Sequence, residues 1–292
     1  MKYMFVTLLA LFVAFPALCS EDGGKAKVSF AYDLDFDMQF DNREFYKSAF
    51  TSSMTVFGAR ITPSAGLNLR QTDGTTHRLM IGVDIMKDFG ASPVSPERAP
   101  EGSAETDRRL SNLNLFRELT LYYSLDRQMG KTGLSVTAGI FPRRMAEGNY
   151  SRAFFSDSLR FYDNNLEGLL VKVSRPKANF EIGCDWMGQY GTFRRERFMI
   201  FSSGEGKVAP MLSLGYSAYL YHYSCSETAG GVVDNVLINP YLKFDFAHMV
   251  DFQILSLRLG WLQAMQNDRE LVGRYVCPGG GELDVEVRKW NV

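Results

Sequence analysis

The sequence predicts an all-β fold, an antiparallel transmembrane β-barrel of about 12 or more strands. Three observations carry this. Apolar and polar side chains alternate with a period of two over runs far longer than a soluble strand, which usually has about five or six residues. The connections between those runs alternate between short and long. An apolar leader precedes them all. Composition agrees: with 22 Phe and 14 Tyr the aromatic share reaches 13%, which favours strands. A chain that is 46% hydrophobic and 22% charged is not a disordered one. Its 32 Lys and Arg against 33 Asp and Glu leave no basic excess for nucleic acid. A mean hydropathy of −0.14 excludes a bundle of membrane helices.

Residues 1–20 read as a signal peptide. Lys2 is the positive start, 3–15 is an uncharged apolar core, and Pro16-Ala17-Leu18-Cys19-Ser20 is a small-residue exit before polar Glu21-Asp22-Gly23-Gly24. The run is short for a span of about 20 residues. Leu18 stands where a lipidation signal usually has a small residue, so Cys19 is not the expected lipid anchor. Residues 21–292 are expected to form one barrel domain.

The first strand, 27–41, sets Val28, Phe30, Tyr32, Leu34, Phe36, Met38 and Phe40 on one face and Asp33, Asp35 and Asp37 on the other. In the second, Phe57, Ala59, Ile61, Pro63, Ala65, Leu67 and Leu69 alternate with Arg60 and Arg70 among others. Asp73-Gly74 makes a hairpin turn. A third strand alternates Leu79, Ile81, Val83 and Ile85 with Arg78, Met80, Gly82, Asp84 and Met86. Further strands are expected at 113–125, 134–142, 165–174, 180–187, 197–203, 211–223, 236–246, 252–262 and 283–292. Short links fall at 71–76, 126–133, 175–179, 203–207 and 247–251. Long ones fall at 42–54, 90–112, 143–164, 224–234 and 263–282. That is the layout of an outer-membrane barrel, with short turns on the periplasmic side and long loops outside. A secreted sandwich would also alternate, but with shorter strands and no regular alternation of its connections. The chain stops at Val292 just after a strand, without a terminal aromatic, and further strands are expected beyond it. If the last strand paired with the first, Asp284 and Glu286 would lie beside Asp33, Asp35 and Asp37, an unfavourable row of like charges.

In the barrel reading the polar face is a lumen. Its candidate lining residues are Asp33, Asp35, Asp37, Arg60, Arg70, Arg78, Asp84, Glu181, Asp185, Lys243, Asp245 and Arg258. They either set a weak ion preference in a water-filled passage or pair across a narrow interior. The segment 143–164 carries Arg143, Arg144, Arg152 and Arg160 among Tyr150, Phe154, Phe155, Phe161 and Tyr162. It is the candidate constriction loop, where guanidinium forks and rings would position a solute; an aromatic belt at the headgroups is the plainer alternative. After the leader, Cys184, Cys225 and Cys277 remain. There is no CxxC and no Cys/His ligand spacing, so no metal or cofactor is expected. Cys225 and Cys277, in Gly-rich loops, are candidates for a bridge, whereas Cys184 sits among apolar residues.

One pattern hints at catalysis. In His222-Tyr223-Ser224 the His and Ser lie two apart on a strand and so share a face, with Asn235 or Asn239 on the next strand to orient the His. The logic is similar to that of outer-membrane phospholipases, but the flanking residues do not match, and no GxSxG, P-loop, HExxH or Rossmann pattern is present. An enzyme is therefore not expected.

The leader, the repeated two-residue alternation, and the stretches Gly139-Ile140-Phe141-Pro142-Arg143-Arg144 and 150–168 together resemble bacterial outer-membrane β-barrels of the porin-like branch, similar to uncharacterised Bacteroidetes porin-like proteins. The resemblance implies export to the outer membrane of a Gram-negative bacterium and carries no catalytic residue. The expected function is a porin-like diffusion channel for small polar solutes or ions. Expected partners are outer-membrane lipid, lipopolysaccharide, a small polar solute and a second copy of the chain in a homo-oligomer, with no nucleic acid. A structural or adhesive surface barrel is the alternative, and an outer-membrane lipid hydrolase the third reading.

Overall fold

The computed structural model describes residues 26–44, 54–89, 116–151, 153–155, 157–228 and 230–289. The expected signal peptide lies outside them, as do 290–292 and most of the expected loops 42–54 and 90–112. Among these described residues, twelve antiparallel strands form one sheet in sequence order. They are β1 (Lys27–Arg43), β2 (Met54–Arg70), β3 (Thr76–Asp88), β4 (Phe116–Met129), β5 (Thr132–Pro142) and β6 (Asn165–Arg175), then β7 (Ala178–Gly188), β8 (Arg197–Ala209), β9 (Leu212–Tyr223), β10 (Val233–Asp245), β11 (Ile254–Asp268) and β12 (Gly279–Arg288). The six-residue helix α1 (Asp157–Tyr162) lies between β5 and β6. No helix of the described residues is long and apolar enough to cross a membrane, which leaves crossing by strands open.

Every strand expected from the alternation is present, with ends moved by a few residues. The Asp73-Gly74 turn forms as expected. Gly74 sits at φ +83°, its N–H reaches Gln71 O at 3.1 Å, and Asp73 Oδ1 accepts the Thr75 N–H at 2.9 Å. Another turn moves. A short link is expected at 203–207, but β8 runs on to Ala209, which faces Leu212 across the hairpin. A Cβ on Gly204 would lie 2.9 Å from the Tyr216 ring. That glycine makes room for an aromatic on the next strand rather than for a turn. The inner face repeats the device: Phe201 lies over Gly183 and Tyr241 over Gly215, each 2.3 Å from where a Cβ would stand.

The sheet is turned inside out relative to a soluble protein. The seven outward residues of β1, from Val28 to Phe40, are each at least 60% exposed, whereas Arg60 is 3%, Asp84 1% and Asp185 2% exposed on the opposite face. Isolated apolar residues on a surface are ordinary, but a continuous band of them is a site for lipid or protein. With strands of 10 to 17 residues, enough to cross a bilayer at a tilt, hydrocarbon is the partner that fits.

The sheet must also be curled. Arg144 pairs with Asp33 on β1, and Ser151 donates to Glu282 on β12. In a flat sheet those strands would be eleven spacings apart, roughly 53 Å at about 4.8 Å each. Seven residues of chain reach at most about 25 Å. The two edges therefore approach around the same inner segment, although no ladder joins β12 to β1 among the described residues.

Candidate active site

The middle of the inner face is packed. Segment 143–164 folds back into the curl and delivers Phe154 and Phe155, each 5% exposed, beside Phe141, Phe201, Leu166 and Leu170 of the wall, and Phe161, fully buried, beside Val56 and Met86. Tyr150 packs edge-on against Phe155 and Phe201. Its hydroxyl donates to Glu181 Oε1 at 2.7 Å, and burial, with the Glu181 carboxylate, pushes it far above the usual tyrosine range.

Most candidate lining residues are brought together here as internal pairs. Arg60 pairs with Asp84 and donates to Phe161 O. Arg143 lies 2.9 Å from Asp185 and 3.2 Å from Asp163, and its Nε donates to Asp163 O at 2.8 Å. Arg144 joins Asp33 to Asp35, the latter at 3.3 Å. Arg258 lies over the Tyr241 ring at 3.9 Å and faces Glu282 at 3.8 Å and Asp284 at 3.9 Å. Arg78 donates to Asn68 at 2.8 Å, and Asp37 accepts from Gln39 at 3.3 Å. Arg70 stands exposed at the short-turn end, Arg160 is exposed on α1, and Lys243 and Asp245 line a separate pocket at the short-turn end. Arg152 lies outside the described residues. Cys184, Cys225 and Cys277 are free thiols. Among the described residues no group of His, Cys, Asp and Glu could hold a metal ion.

The outer face carries a different chemistry at the long-loop end. His222 follows Leu220 on the lipid-facing side of β9, and Asp234 stands directly opposite it on β10. His222 Nδ1 lies 2.8 Å from Asp234 Oδ1. A carboxylate only accepts, so Nδ1 carries a proton, and in the neutral ring Nε2 keeps its lone pair. Arg269 holds the other carboxylate oxygen, with Nε and Nη2 both at 2.7 Å, and its own N–H is tied to Val232 O at 3.0 Å. The imidazole rests against Phe198 at 5.0 Å, and Phe198 stacks on Trp186 at 5.2 Å. An aromatic wall thus leads from the apolar band to the His. The Ser224 N–H donates to Glu196 O at 2.8 Å, which continues the β8–β9 ladder. Its side chain therefore falls on the face of His222, where its hydroxyl is 3.7 Å from Cys225 Sγ.

The sequence pattern identified His222 and Ser224 but not the orienting group. Asn235 points inward to Tyr219, and Asn239 is fully buried on the inner face beside Arg258. Asp234 takes their place, one residue before Asn235 and so on the opposite face. Its signal was the pairing of the two strand ends across the 224–232 hairpin.

A His–carboxylate pair with a serine on the same strand face, at the lipid-facing rim of an outer-membrane-type barrel, has the makings of a membrane-surface ester hydrolase. The family comparison points the same way. Residues 26–236, more than half of the 292 residues, match the family described as lipid A 3'-O-deacylase-type, and the chain belongs to that family. The match spans both His222 and Asp234. No curated protein matches the chain. The porin-like resemblance is thereby corrected: the matching family is one of lipid-modifying barrels. The expectations of a diffusion channel for a small solute, and of a chain without enzyme activity, are overturned by the same finding. The physical reason is visible inside the sheet, where the residues taken for a lumen wall are paired with one another and with a packed segment. The β-barrel fold and the family are consistent with the outer membrane.

Proposed function

We propose that the chain is an outer-membrane lipid deacylase that hydrolyses an acyl ester of a lipid in the outer leaflet, with lipid A the substrate class that the family indicates. The observation that carries this is the 2.8 Å His222–Asp234 pair on the lipid-facing side of the sheet, at the end bearing the long loops and so at outer-leaflet headgroup level. Residues 1–20 deliver the chain for export, and residues 21–292 form the membrane domain.

Asp234 holds the imidazole by Nδ1–H, and Arg269 holds Asp234. Ser224 is the nucleophile. As its oxygen attacks the ester carbonyl, its proton passes to His222 Nε2. The tetrahedral intermediate collapses as that proton is handed to the leaving sugar oxygen, and water then releases the fatty acid by the same steps. For attack the Ser224 hydroxyl turns from Cys225 Sγ to the imidazole. Trp186 and Phe198 present an apolar wall along which the acyl chain approaches.

The test is mass spectrometry of lipid A incubated with the refolded full chain in detergent. The expected product is lighter by one ester-linked acyl group. His222→Ala and Ser224→Ala should each lower the rate by about 10²-fold or more, and a serine-directed fluorophosphonate should label the wild type but not Ser224→Ala. Unchanged lipid, or full activity in His222→Ala, defeats the proposal.

A further inference from the structure

At the opposite end of the barrel, away from His222, the short turns enclose a pocket of about 260 Å³ on the inner face. Lys207 on β8 and Lys243 on β10 both face Ser213 on β9, so one small hydroxyl residue separates the two ammonium groups. Their backbones are about 10 Å apart, two strand spacings. Lys177 and Arg175 from the β6–β7 hairpin complete the wall, and the Lys207 N–H donates to Lys177 O at 2.7 Å.

Two acids line the same pocket, Glu205 and Asp245, and both face neutral donors. Glu205 accepts from the Tyr241 hydroxyl at 2.9 Å and from Asn149 Nδ2 at 2.7 Å. Asp245 Oδ1 accepts the Ala247 N–H at 3.0 Å. Among the described residues, Lys177, Lys207 and Lys243 have no carboxylate within ion-pair distance, and Arg175 gives its Nε to Thr132 Oγ1 at 3.0 Å. Elsewhere on the inner face, Arg60, Arg143, Arg144, Lys172 and Arg258 each meet a carboxylate. Four cations against two acids leave the pocket formally +2, with its lysines uncommitted.

We propose that this pocket binds a soluble, phosphate-bearing anion from the periplasmic side. The inner face is shielded from hydrocarbon by the sheet, so the ligand is water-soluble rather than a lipid tail. Ammonium groups are point charges well suited to phosphate oxygens. A phosphate monoester or pyrophosphate brings at least about two negative charges, matching the excess, where a simple carboxylate brings one. The site stands apart from the hydrolytic rim and does not depend on the activity proposed there.

Equilibrium dialysis of the refolded full chain in detergent micelles against radiolabelled pyrophosphate, at fixed ionic strength, tests this. Saturable binding is expected. The Lys207→Gln/Lys243→Gln pair should weaken it about tenfold or more, since hydrogen bonds to charged groups are being removed. The pair Lys131→Gln/Arg160→Gln removes the same charge outside the pocket and should leave binding intact. Ser213→Asp, which sets a carboxylate between the two lysines, should abolish binding, and it decides the matter if the double lysine variant does not fold. Heat-modifiable electrophoretic mobility verifies folding of each. No saturable binding by the wild type overturns the proposal, as does equal weakening in the control pair or undiminished binding by Ser213→Asp.

Discussion

Replacing Arg143 by Met asks whether the inside of this barrel is packed or wet. Arg143 is 5% exposed, and its partner Asp185 is 2% exposed. The guanidinium reaches Asp185 at 2.9 Å, Asn165 O at 3.0 Å and Asp163 O at 2.8 Å. Removing one member of a buried pair leaves an uncompensated charge and costs about 3–5 kcal/mol. Each carbonyl that loses its donor adds about 1 kcal/mol, while the Met stem keeps much of the packing of the Arg methylenes. A loss of about 5–7 kcal/mol is therefore expected, measured by urea unfolding in lipid vesicles from tryptophan fluorescence. Adding Asp185→Leu should return most of it, because an apolar pair of similar volume often equals a buried ion pair. If Arg143→Met costs under about 1 kcal/mol, as exposed pairs do, the pair sits in water. The interior would then be hydrated around this pair, and the account of a packed inner face would fail.

Three further outcomes are expected. Ile182→Arg, on the outer face of β7, should destabilise the chain by about 2–4 kcal/mol in vesicles if hydrocarbon covers that face; an effect within about 0.5 kcal/mol, usual for a water-exposed site, would refute the membrane assignment. Asp234→Asn should lower lipid hydrolysis by about 10²–10⁴-fold, since the amide can present N–H to Nδ1 and favour the wrong tautomer; unchanged turnover removes Asp234 from the site. In the exposed β2–β3 turn, the Thr75 backbone N–H, aided by the Thr75 side chain, holds the Asp73 carboxyl below its ordinary value of 3.8. A depressed carboxyl stabilises the fold above its unfolded value and loses that contribution as pH falls through the folded one. The unfolding midpoints of wild type and Asp73→Ala should thus differ at neutral pH and converge below pH 3.8, and a gap that persists at lower pH sinks this account of the turn.

The strands were legible because a bilayer imposes a two-residue period on every one of them. Val28 to Phe40 alternate with one break, Ala31 on the polar face, and each of those outward side chains is exposed. The short link expected at 203–207 is strand instead, since a glycine there makes room for a cross-strand partner, here Tyr216 over Gly204, and only the register shows this. The interior was legible in part. Many charges of the inner face were named from the alternation, but not Glu205, Lys207 or Glu282, which were read as link residues, and whether such charges line water or pair depends on where a long loop goes. Nothing local in 143–164 says that Phe154 and Phe155 pack beneath Tyr219 and Phe201. His222 and Ser224 were visible as a strand pair, whereas Asp234 needed the register of β9 against β10.

The failure of the porin reading has a physical lesson. Alternation separates a greasy face from a polar one, and the polar face was assumed to be where function resides, since in a channel it meets the solute. In this barrel the inner face is mostly occupied by Arg–Asp pairs and a packed aromatic segment, with the basic pocket at the short turns set apart. The ester chemistry proposed above lies on the greasy face instead, at the long-loop end where that face meets headgroups. His222 is a polar residue at the end of an apolar row, after Leu214 and Leu220 on the same side of β9, and it is tolerated there because Asp234 and Arg269 satisfy it. A polar cluster that breaks the lipid-facing stripe near a strand end is costly to keep in place for stability alone. In this chain, such an interruption of the outer row is therefore where the proposed lipid chemistry is to be tested first.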